Sequence, residues 1–355
     1  MKKRPDGRYQ LSIMIGYNAD GKPKRKLIYG KTQKEVKERA NELRLQYSMG
    51  LEVDSDITVG EWAKTWLNTY KTNVEYNTHT MYGDTLRLYV IAPLGNLKLK
   101  DLKTAHLQKI VNDNSHKPRT VKIFALTVNQ MLEQAVINDL ILKNQALGIH
   151  LPPVTPKKEK RALTAEEFEN IKALSLDIKT RCFVFLLLYT GMRRGEALAI
   201  TKDDIDWSRM EISVNKSIIF KVNKSEIKYN PKTKAGLRAI PILAPLQSIL
   251  REYVNSIDSQ LLFVSQDGET MTKTGYRYMW SKFEKAIGTK DITAHIFRHN
   301  YATLLYNAGV DIKSAQVILG HSSIGITMDI YTHLDNRNKE ATAEKLNDFL
   351  LQSLD

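Results

Sequence analysis

A short proline-rich and basic segment divides this sequence into two long parts. Residues 151–156, LPPVTP, hold three prolines, and residues 157–161, KKEKR, hold four basic side chains. Proline fixes an extended backbone and breaks helices, so the segment is typical of a tether between independently folded units. The chain has 355 residues, more than twice a common domain length of about 150, which predicts two or three domains around this tether.

The excess positive charge is concentrated at the start of the chain. Residues 1–50 contain 13 Lys/Arg and 5 Asp/Glu, which gives +8 out of a total net charge of +14. Basic side chains that contact phosphates release condensed counterions, so a dense basic module indicates a polyanionic partner such as DNA. A solvated basic tail is the alternative explanation of the charge alone.

Residues 1–50 also carry the pattern of a folded unit, which argues against a tail. Apolar side chains alternate from Tyr9 to Tyr17, which is the period of a half-buried strand. Residues 18–21, NADG, form a turn, and residues 26–30 return as a second strand. Thr32 and Glu35 have the spacing of a capping box before a helix. We therefore predict a small β-sheet that carries one helix and lays a basic face on DNA.

Residues 57–150 are predicted to be helical throughout. Thr58 and Glu61 form a second capping box, and further helices are expected at about residues 77–91, 104–112 and 119–138. Trp62, Trp66 and Tyr70 fall on one helical stripe. This spacing favours a place in the core over a stacking platform for bases.

Several functional classes are excluded or unsupported by the sequence. The longest apolar run, residues 183–189, is far shorter than the roughly twenty residues of a membrane span, and no apolar signal segment follows the basic N-terminus. Cys182 is the only cysteine, which excludes an intramolecular disulfide and fits a reducing cytoplasm. Phosphate-binding glycine loops and metal-site motifs are absent, so we expect no cofactor, no bound metal and no membrane partner.

The part after the tether begins with a third capping box, at residues 164–167, and then mixes helices with strands near residues 210–221 and 239–243. Its first notable motif follows the apolar run. Gly191 is expected to end a buried helix and present Arg193 from a turn, where a guanidinium can grip a phosphate.

Three more motifs lie in the last quarter of the sequence. His295 and Arg298 are three residues apart, on one side of a helix. Gly320 is expected to end another helix just before His321, and Tyr331 follows ten residues later. Taken alone, the two arginine motifs are typical of exposed surface and a tyrosine in an amphipathic segment is usually structural, but the order and spacing of the whole set are informative.

Together these motifs resemble those of the tyrosine recombinase (phage integrase) family: T-G-M-R at residues 190–193, H-x-x-R at 295–298, L-G-H at 319–321 and a tyrosine at 331. The layout of the whole chain is similar to the three-domain integrases of temperate phages and conjugative transposons. The resemblance implies a multidomain α+β fold. Its parts are a three-stranded sheet with one helix that binds arm-type DNA (1–50), an all-α domain that binds the core site (57–150), a basic linker (151–161) and a mainly α catalytic domain with a small β-sheet (162–355).

The resemblance also implies a role for each motif. Arg193 and Arg298 correspond to the two catalytic arginines, His295 to the histidine of H-x-x-R, His321 to the position that holds His or Trp, and Tyr331 to the nucleophile. The family has a catalytic lysine on a hairpin between the first arginine and H-x-x-R, where Lys232 fits best and Lys234 is the alternative. The reaction implied is cutting and rejoining of DNA through a 3′-phosphotyrosine link, without ATP or metal, to integrate and excise a mobile element.

The partners implied are double-stranded DNA with core and arm sites, a directionality factor, a host DNA-bending protein, and copies of the same chain. The final segment, residues 336–355, is expected to be an amphipathic helix that couples subunits in a DNA-bound tetramer. The basic segments supply the predicted DNA-binding residues: Arg8, Lys24, Arg25, Lys26, Lys157, Lys158, Lys160 and Arg161.

Two other functions fit part of the pattern. Residues 296–307 and 311–319 with the turn between them resemble a helix-turn-helix, which suggests a transcription factor, but this leaves Arg193 and Tyr331 unexplained. A type IB topoisomerase has similar chemistry, but a separate arm domain favours a site-specific recombinase.

Overall fold

A computed structural model of the chain describes residues 1–17, 23–48, 56–153, 161–222, 224–229 and 237–337. The contacts divide the chain into two units, Met1–Lys157 and Lys158–Asp355, and the division falls within residues 151–161. Several positions singled out in the sequence lie outside the described residues: Lys157, Lys158, Lys160, Lys232, Lys234, the turn at residues 18–21 and the C-terminal segment 338–355.

The N-terminal residues form a three-stranded antiparallel sheet with one helix, as the resemblance implied. The elements are β1 (Lys2–Lys3), β2 (Tyr9–Tyr17), β3 (Pro23–Gly30) and α1 (Gln33–Ser48), with the strands in the order β1-β2-β3. Ile13 and Ile28 of the sheet are buried together with Val36 and Ala40 of α1. The helix therefore covers one face of the sheet.

Residues 57–149 form a helical bundle around a core of their own. The helices are α2 (Val59–Tyr70), α3 (Tyr76–Leu86), α4 (Ala92–Leu94), α5 (Thr104–Asp113) and α6 (Pro118–Ile137). A π-helical turn, Arg87–Ile91, joins α3 to α4. Trp62 and Trp66 are buried in this core, and the Trp62 indole N–H donates to the Met131 carbonyl (3.0 Å). Tyr70, predicted on the same stripe, lies at the edge of the bundle and is 39% exposed.

In its described residues, the second unit combines helices with two small antiparallel sheets. Its helices are α7 (Ala165–Ala173), α8 (Ile178–Thr190), α9 (Arg194–Leu198), α10 (Ala244–Asn255), α11 (Lys273–Ile287), α12 (Ala294–Asn307), α13 (Ile312–Leu319) and α14 (Ile324–Arg337). Its strands are β4 (Ile205–Asp206), β5 (Glu211–Val214), β6 (Lys216–Phe220), β7 (Ser225–Tyr229) and β8 (Arg238–Pro241), paired as β4-β5-β8 and β6-β7. Helix α8 packs against α9, α10, α11 and α12, so it is the centre of this unit.

The helix starts predicted from Thr-x-x-Glu spacing are present. Thr58 with Glu61 and Thr164 with Glu167 form complete capping boxes. Before α1 the box differs in one bond: the Thr32 hydroxyl accepts from Glu35 N (3.2 Å), while the Glu35 carboxylate accepts from Lys31 N (2.8 Å). Local side-chain chemistry therefore sets where these helices begin.

Helix α8 ends at the glycine that the sequence indicated. Its last nine residues, 182–190, are all buried, and Gly191 takes the left-handed conformation at φ +60°. The Gly191 N–H donates to the Leu187 carbonyl (3.1 Å), which closes the last turn. A Cβ at Gly191 would lie 2.6 Å from Cδ1 of Tyr301 on α12, so the position requires glycine for space as well as for conformation.

Among the described residues, no helix is long and apolar enough to cross a membrane.

Replacing Gly191 with alanine tests this packing. Gly288 is the matched control, because it also ends a helix at positive φ but has nothing within 4 Å of an added Cβ. We expect Gly288→Ala to lower the free energy of unfolding by about 1–2 kcal/mol, the cost of the left-handed conformation. Gly191→Ala should lower it by a further ~1–3 kcal/mol from overpacking against Tyr301. Denaturant titration of both variants measures the difference, and equal losses would show that Tyr301 moves aside at no cost.

Candidate active site

The carboxyl end of helix α13 is bound by three arginine side chains that come from three different elements. Gly320 ends the helix in a left-handed conformation (φ 66°), and helix ends leave their last carbonyl groups without helical partners. Three successive carbonyls each accept an arginine hydrogen bond: Ile318 O from Arg238 Nε (2.7 Å), Leu319 O from Arg298 Nη2 (2.5 Å) and Gly320 O from Arg193 Nη2 (3.0 Å). Cations are stabilised there because the carboxyl end of a helix carries partial negative charge.

The turn at Gly191 positions two of these arginines. Arg193 is the N-cap residue of α9, and its side chain is 47% exposed. Arg298, on α12, is buried, and its Nη1 donates to the Gly191 carbonyl (3.0 Å). The same turn therefore holds Arg193 through the chain and Arg298 through a hydrogen bond. Both predicted arginines meet at one helix end.

Glu196 is the carboxylate of this arginine cluster. It is buried on α9, where its Oε1 accepts from Arg193 Nη1 (2.7 Å) and its Oε2 accepts from Arg193 N (2.9 Å) and Arg238 Nη2 (2.8 Å). Burial acts to raise the pKa of Glu196, but the charges of Arg238 and Arg193 outweigh it and leave that pKa below its usual value. Three guanidinium groups with one carboxylate have a net charge of +2, which suits an anionic phosphate.

The cluster perturbs its own titratable groups. Burial, and next the charge of Arg193, lower the pKa of Arg298 to about 9, so this guanidinium keeps its proton at neutral pH. Burial, followed by the charges of Arg298 and Arg193, lowers the pKa of His321 to about 3. The His321 imidazole is therefore neutral at pH 7 in the chain without DNA.

His321 lies just after the carboxyl end of α13, and His295 lies at the start of α12, the helix that carries Arg298. The His321 ring is buried, and its Nδ1 lies 2.9 Å from the Thr327 hydroxyl oxygen. The Gln316 side-chain amide donates to the His321 carbonyl (3.2 Å). His295, in the first turn of α12, is exposed, and its charge is among those that act on His321. The structure thus brings both predicted histidines near the arginine cluster.

Tyr331 is placed differently from the other predicted site residues. It is buried on α14, and its hydroxyl donates to the Val310 carbonyl (3.2 Å). Its ring packs edge to face on Tyr306, with 5.1 Å between the ring centroids. Burial and the negative charge of Asp311 both raise the pKa of Tyr331. Its surroundings here stabilise the neutral phenol.

The predicted DNA-binding residues in the described ranges occupy different environments. Arg25 pairs across the strands with Met14 on the face opposite α1, whereas Lys26 pairs with buried Ile13 on the α1 face. Arg8 is exposed, and its guanidinium donates to Asp6 Oδ2 from Nε (3.1 Å) and Nη2 (2.9 Å).

Arg161 is also exposed and pairs with Glu167, with Nη1–Oε2 at 2.5 Å and Nη2–Oε1 at 2.7 Å. Lys24 is in β3. In β3, the strand register places Arg25 and its neighbour Lys26 on opposite faces of the N-terminal sheet.

Glu196 and Arg238 are members of the cluster that the motifs did not reveal. Arg193 and Glu196 have the spacing of a helix cap, which already explains the glutamate. Arg238 begins a strand, where a charged side chain is usually exposed at the edge of a sheet. One signal was available: Arg238 alternates with Ile240, which is buried, so it occupies a core-facing register position. Within the described ranges, no group of three or more His, Cys, Asp or Glu side chains is arranged to hold a metal ion.

Comparison with known proteins gives consistent matches over most of the chain. Residues 158–338 match the model of the phage integrase family, and residues 58–114 match that of the phage integrase N-terminal SAM-like domain. A XerC-like tyrosine recombinase of Caldanaerobacter subterraneus subsp. tengcongensis is 28% identical, over 97% of this chain and 96% of that protein. The ICEBs1 integrase of Bacillus subtilis is 25% identical, over 99% and 100%.

Two solved structures share the fold. The Tn1549 transposon integrase in complex with a circular intermediate DNA has a TM-score of 0.69 and 23% identity, and the match covers 82% of this chain and 99% of that one. The lambda integrase tetramer bound to a Holliday junction has a TM-score of 0.63 and 19% identity, with 93% of each chain covered.

Replacing Glu196 with glutamine removes the carboxylate of the arginine cluster while it keeps the side-chain shape. We expect the free energy of unfolding at neutral pH to fall by about 3–5 kcal/mol, because Arg238 would be left buried without a counter-charge. Since the folded-state pKa of Glu196 lies below its usual 4.5, its stabilisation is complete above that pH and is lost as the pH falls through the folded-state value. Denaturant titrations should therefore show the gap between wild type and variant narrowing below about pH 4.5.

The control for this prediction is Glu226→Gln. The Glu226 side chain is 40% exposed and pairs with Lys224 (2.9 Å) and Lys221 in the same unit. Its replacement should leave the free energy of unfolding nearly unchanged, because an ion pair in contact with solvent contributes little. If the difference in free energy of unfolding between wild type and Glu196→Gln does not change with pH, the ionised carboxylate of Glu196 is not what stabilises the cluster.

Proposed function

The chain belongs to the phage integrase family and is a site-specific tyrosine recombinase, and from this premise we propose which residues cut and rejoin DNA and on which element they act. The observation that carries the assignment is the meeting of three arginines at the carboxyl end of α13. Guanidinium groups held in fixed positions bind a phosphate in a defined orientation. The residue types and their net positive charge favour one DNA phosphate as the group that Arg193 and Arg298 bind.

Arg193 and Arg298 stabilise the negative charge that develops on the non-bridging oxygens of the scissile phosphate. Two of the five N–H donors of Arg193 are used by Glu196 and by the Gly320 carbonyl, and half of the side chain faces solvent, so further donors can reach a phosphate. Arg298 keeps its charge at neutral pH in a buried position, where an electrostatic interaction is strong. Neutral His321 donates a hydrogen bond to the same phosphate.

Tyr331 is the nucleophile. Its oxygen forms a bond to the scissile phosphorus and loses its proton, while the bond from phosphorus to the 5′-oxygen of the next nucleotide breaks. The 5′-oxygen takes a proton and leaves as a hydroxyl, so the product is a 3′-phosphotyrosine link. Attack requires the Tyr331 hydroxyl to leave the Val310 carbonyl, because that hydrogen bond and the burial stabilise the protonated phenol.

Two further groups transfer protons. Lys232, with Lys234 as the alternative, is the proton donor to the leaving 5′-oxygen, as the resemblance implies. His295 is exposed at the start of α12 near His321 and supports proton transfer around the tyrosine. The link conserves the energy of the phosphodiester, so attack by another 5′-hydroxyl rejoins the strands without ATP.

The DNA acted on belongs to a mobile genetic element, a phage or a conjugative transposon, inside a bacterial cell. Relatives named as the ICEBs1 integrase and the Tn1549 transposon integrase support this assignment. Lambda integrase has been solved as a dimer on a core site and as a tetramer on a Holliday junction, which supports a tetramer for the synaptic complex of this chain. The C-terminal segment couples the subunits, and a directionality factor and a host DNA-bending protein assist.

In this proposal, each predicted domain has its own role. Residues 1–50 bind arm-type sites, residues 57–150 bind the core site, residues 151–161 link the two parts and residues 162–355 cut and rejoin. A helix-turn-helix transcription factor is not favoured. Although α12 and α13 match the helices of that alternative, Arg298 and the α13 carbonyls are used inside the arginine cluster.

Replacing Tyr331 with phenylalanine removes the proposed nucleophile and leaves its packing intact. We expect no covalent adduct with a nicked suicide duplex made from the ends of the element, because the ring lacks the attacking oxygen, while binding to the same duplex is retained. Denaturing gels detect the adduct, and mass spectrometry maps it. Tyr306→Phe is the control, since Tyr306 packs on the same ring and should still permit the adduct. An adduct with Tyr331→Phe would place the nucleophile elsewhere.

The strand register gives a prediction for the N-terminal sheet. Arg25 is exposed on the face without α1, so Arg25→Ala should weaken binding to a duplex from the element's ends and reduce the slope of log K against log salt by about 1. Lys26→Ala, one residue away on the α1 face, should change the slope by less than about half as much. Titrations of the full chain at several salt concentrations compare the two. Equal effects would show that DNA does not lie on that face alone.

A further inference from the structure

Arg238 is a buried arginine that the phage integrase motifs in this sequence do not include. It begins β8, four residues after Lys234, and only 1% of its side chain is exposed. A buried charge is costly unless it is paired and hydrogen-bonded, so its neighbours explain why it is tolerated. Its partners include the Glu196 carboxylate, at 2.8 Å from Nη2, and the Ile318 carbonyl, at 2.7 Å from Nε.

The first contact fixes Arg193 through Glu196. Both oxygens of the Glu196 carboxylate face arginine donors, with Arg193 on one side and Arg238 on the other. Arg193 holds this carboxylate through its backbone N–H as well as its side chain, and Arg238 supplies the second guanidinium. A carboxylate held by two guanidinium groups has a more restricted orientation than one held by a single group. Arg193 is half exposed and is bound by this carboxylate and by the Gly320 carbonyl. Its orientation therefore depends in part on Arg238, through Glu196.

The second contact fixes the chain that leads into His321. The Ile318 carbonyl lies three residues before His321, in the last turn of α13, and the next two carbonyls are held by Arg298 and Arg193. Arg238 is the one member of this set that comes from the β-sheet. It therefore joins the sheet to the helix end on which the other groups are arranged.

Building on the proposed function, we propose that Arg238 is a positioning residue for DNA cleavage. It holds Glu196 against Arg193 and holds the end of α13 in place, so that Arg193 and His321 face the same phosphate. It acts through Glu196 and the α13 backbone and does not itself contact the reacting atoms. Small displacements of such groups are enough to slow a reaction by orders of magnitude.

The test compares Arg238→Met and Arg238→Lys with wild type in single-turnover cleavage of a saturating nicked duplex. We expect Arg238→Met to cleave about 100-fold more slowly, with affinity for the duplex changed less than about threefold, because orientation and not DNA contact is lost. Arg238→Lys keeps the charge but not the planar fork, so it should recover about a tenth of the wild-type rate. The acid limb of the rate against pH should move to higher pH in Arg238→Met, because Glu196 loses one of its counter-charges and keeps only Arg193.

A matched control separates positioning from stability. Lys216 is another buried cation in the same unit, paired with Asp204 (2.5 Å) and hydrogen-bonded to Thr201 and Asn215. Lys216→Met should lower the melting temperature as Arg238→Met does, yet leave the rate per folded molecule and the pH profile unchanged. Arg238→Met behaving like Lys216→Met in rate and pH profile would overturn the proposal.

A second readout does not depend on cleavage. The imidazole signal of His321 in the NMR spectrum, assigned with His321→Asn, should move in Arg238→Met and stay in place in Lys216→Met. An unmoved His321 signal in Arg238→Met also overturns the positioning role. If wild type forms no adduct with the duplex, the proposed function fails, and the His321 signal still decides the role of Arg238.

Discussion

The carboxyl end of α13 is the point on which the site depends. A helix that ends at a left-handed glycine leaves its last carbonyl groups directed outward, and here three of them in succession bind arginines from α9, α12 and the β-sheet. Arg193, Arg238 and Arg298 lie 127, 80 and 21 residues from the carbonyls that they bind. One helix end therefore brings together groups that are well separated in the sequence.

The same arrangement explains how so much positive charge is tolerated before DNA binds. Glu196 offsets part of it, and the α13 carbonyls supply partial negative charge at short range. Burial, and next the charge of Arg193, lower the pKa of Arg298, and burial followed by the charges of Arg298 and Arg193 lowers that of His321. Like charges held together repel one another, and the phosphate of the proposed function would offset that repulsion.

The sequence predicts those features of the fold that depend only on neighbouring residues. The left-handed glycines at 191 and 320, the capping boxes and the buried α8 follow from residue type and spacing alone. Glu196 and Arg238 were missed because their local patterns have ordinary explanations, a helix cap and a strand end. Only tertiary packing brings them together. The contact of Tyr331 with Val310 is of the same kind, since nothing near either residue in the sequence specifies it.

Tyr331 differs from the arginines in its surroundings. The cations of the site are assembled and charged in the chain without DNA, whereas the proposed nucleophile is a neutral phenol hydrogen-bonded to a backbone carbonyl and packed on Tyr306. On the proposed function, attack requires the hydroxyl to leave the Val310 carbonyl, because that hydrogen bond and the burial stabilise the protonated phenol. Positive charge beside the phenol would lower its pKa instead of raising it. In that proposal, binding of the phosphate and activation of the nucleophile are therefore separate steps.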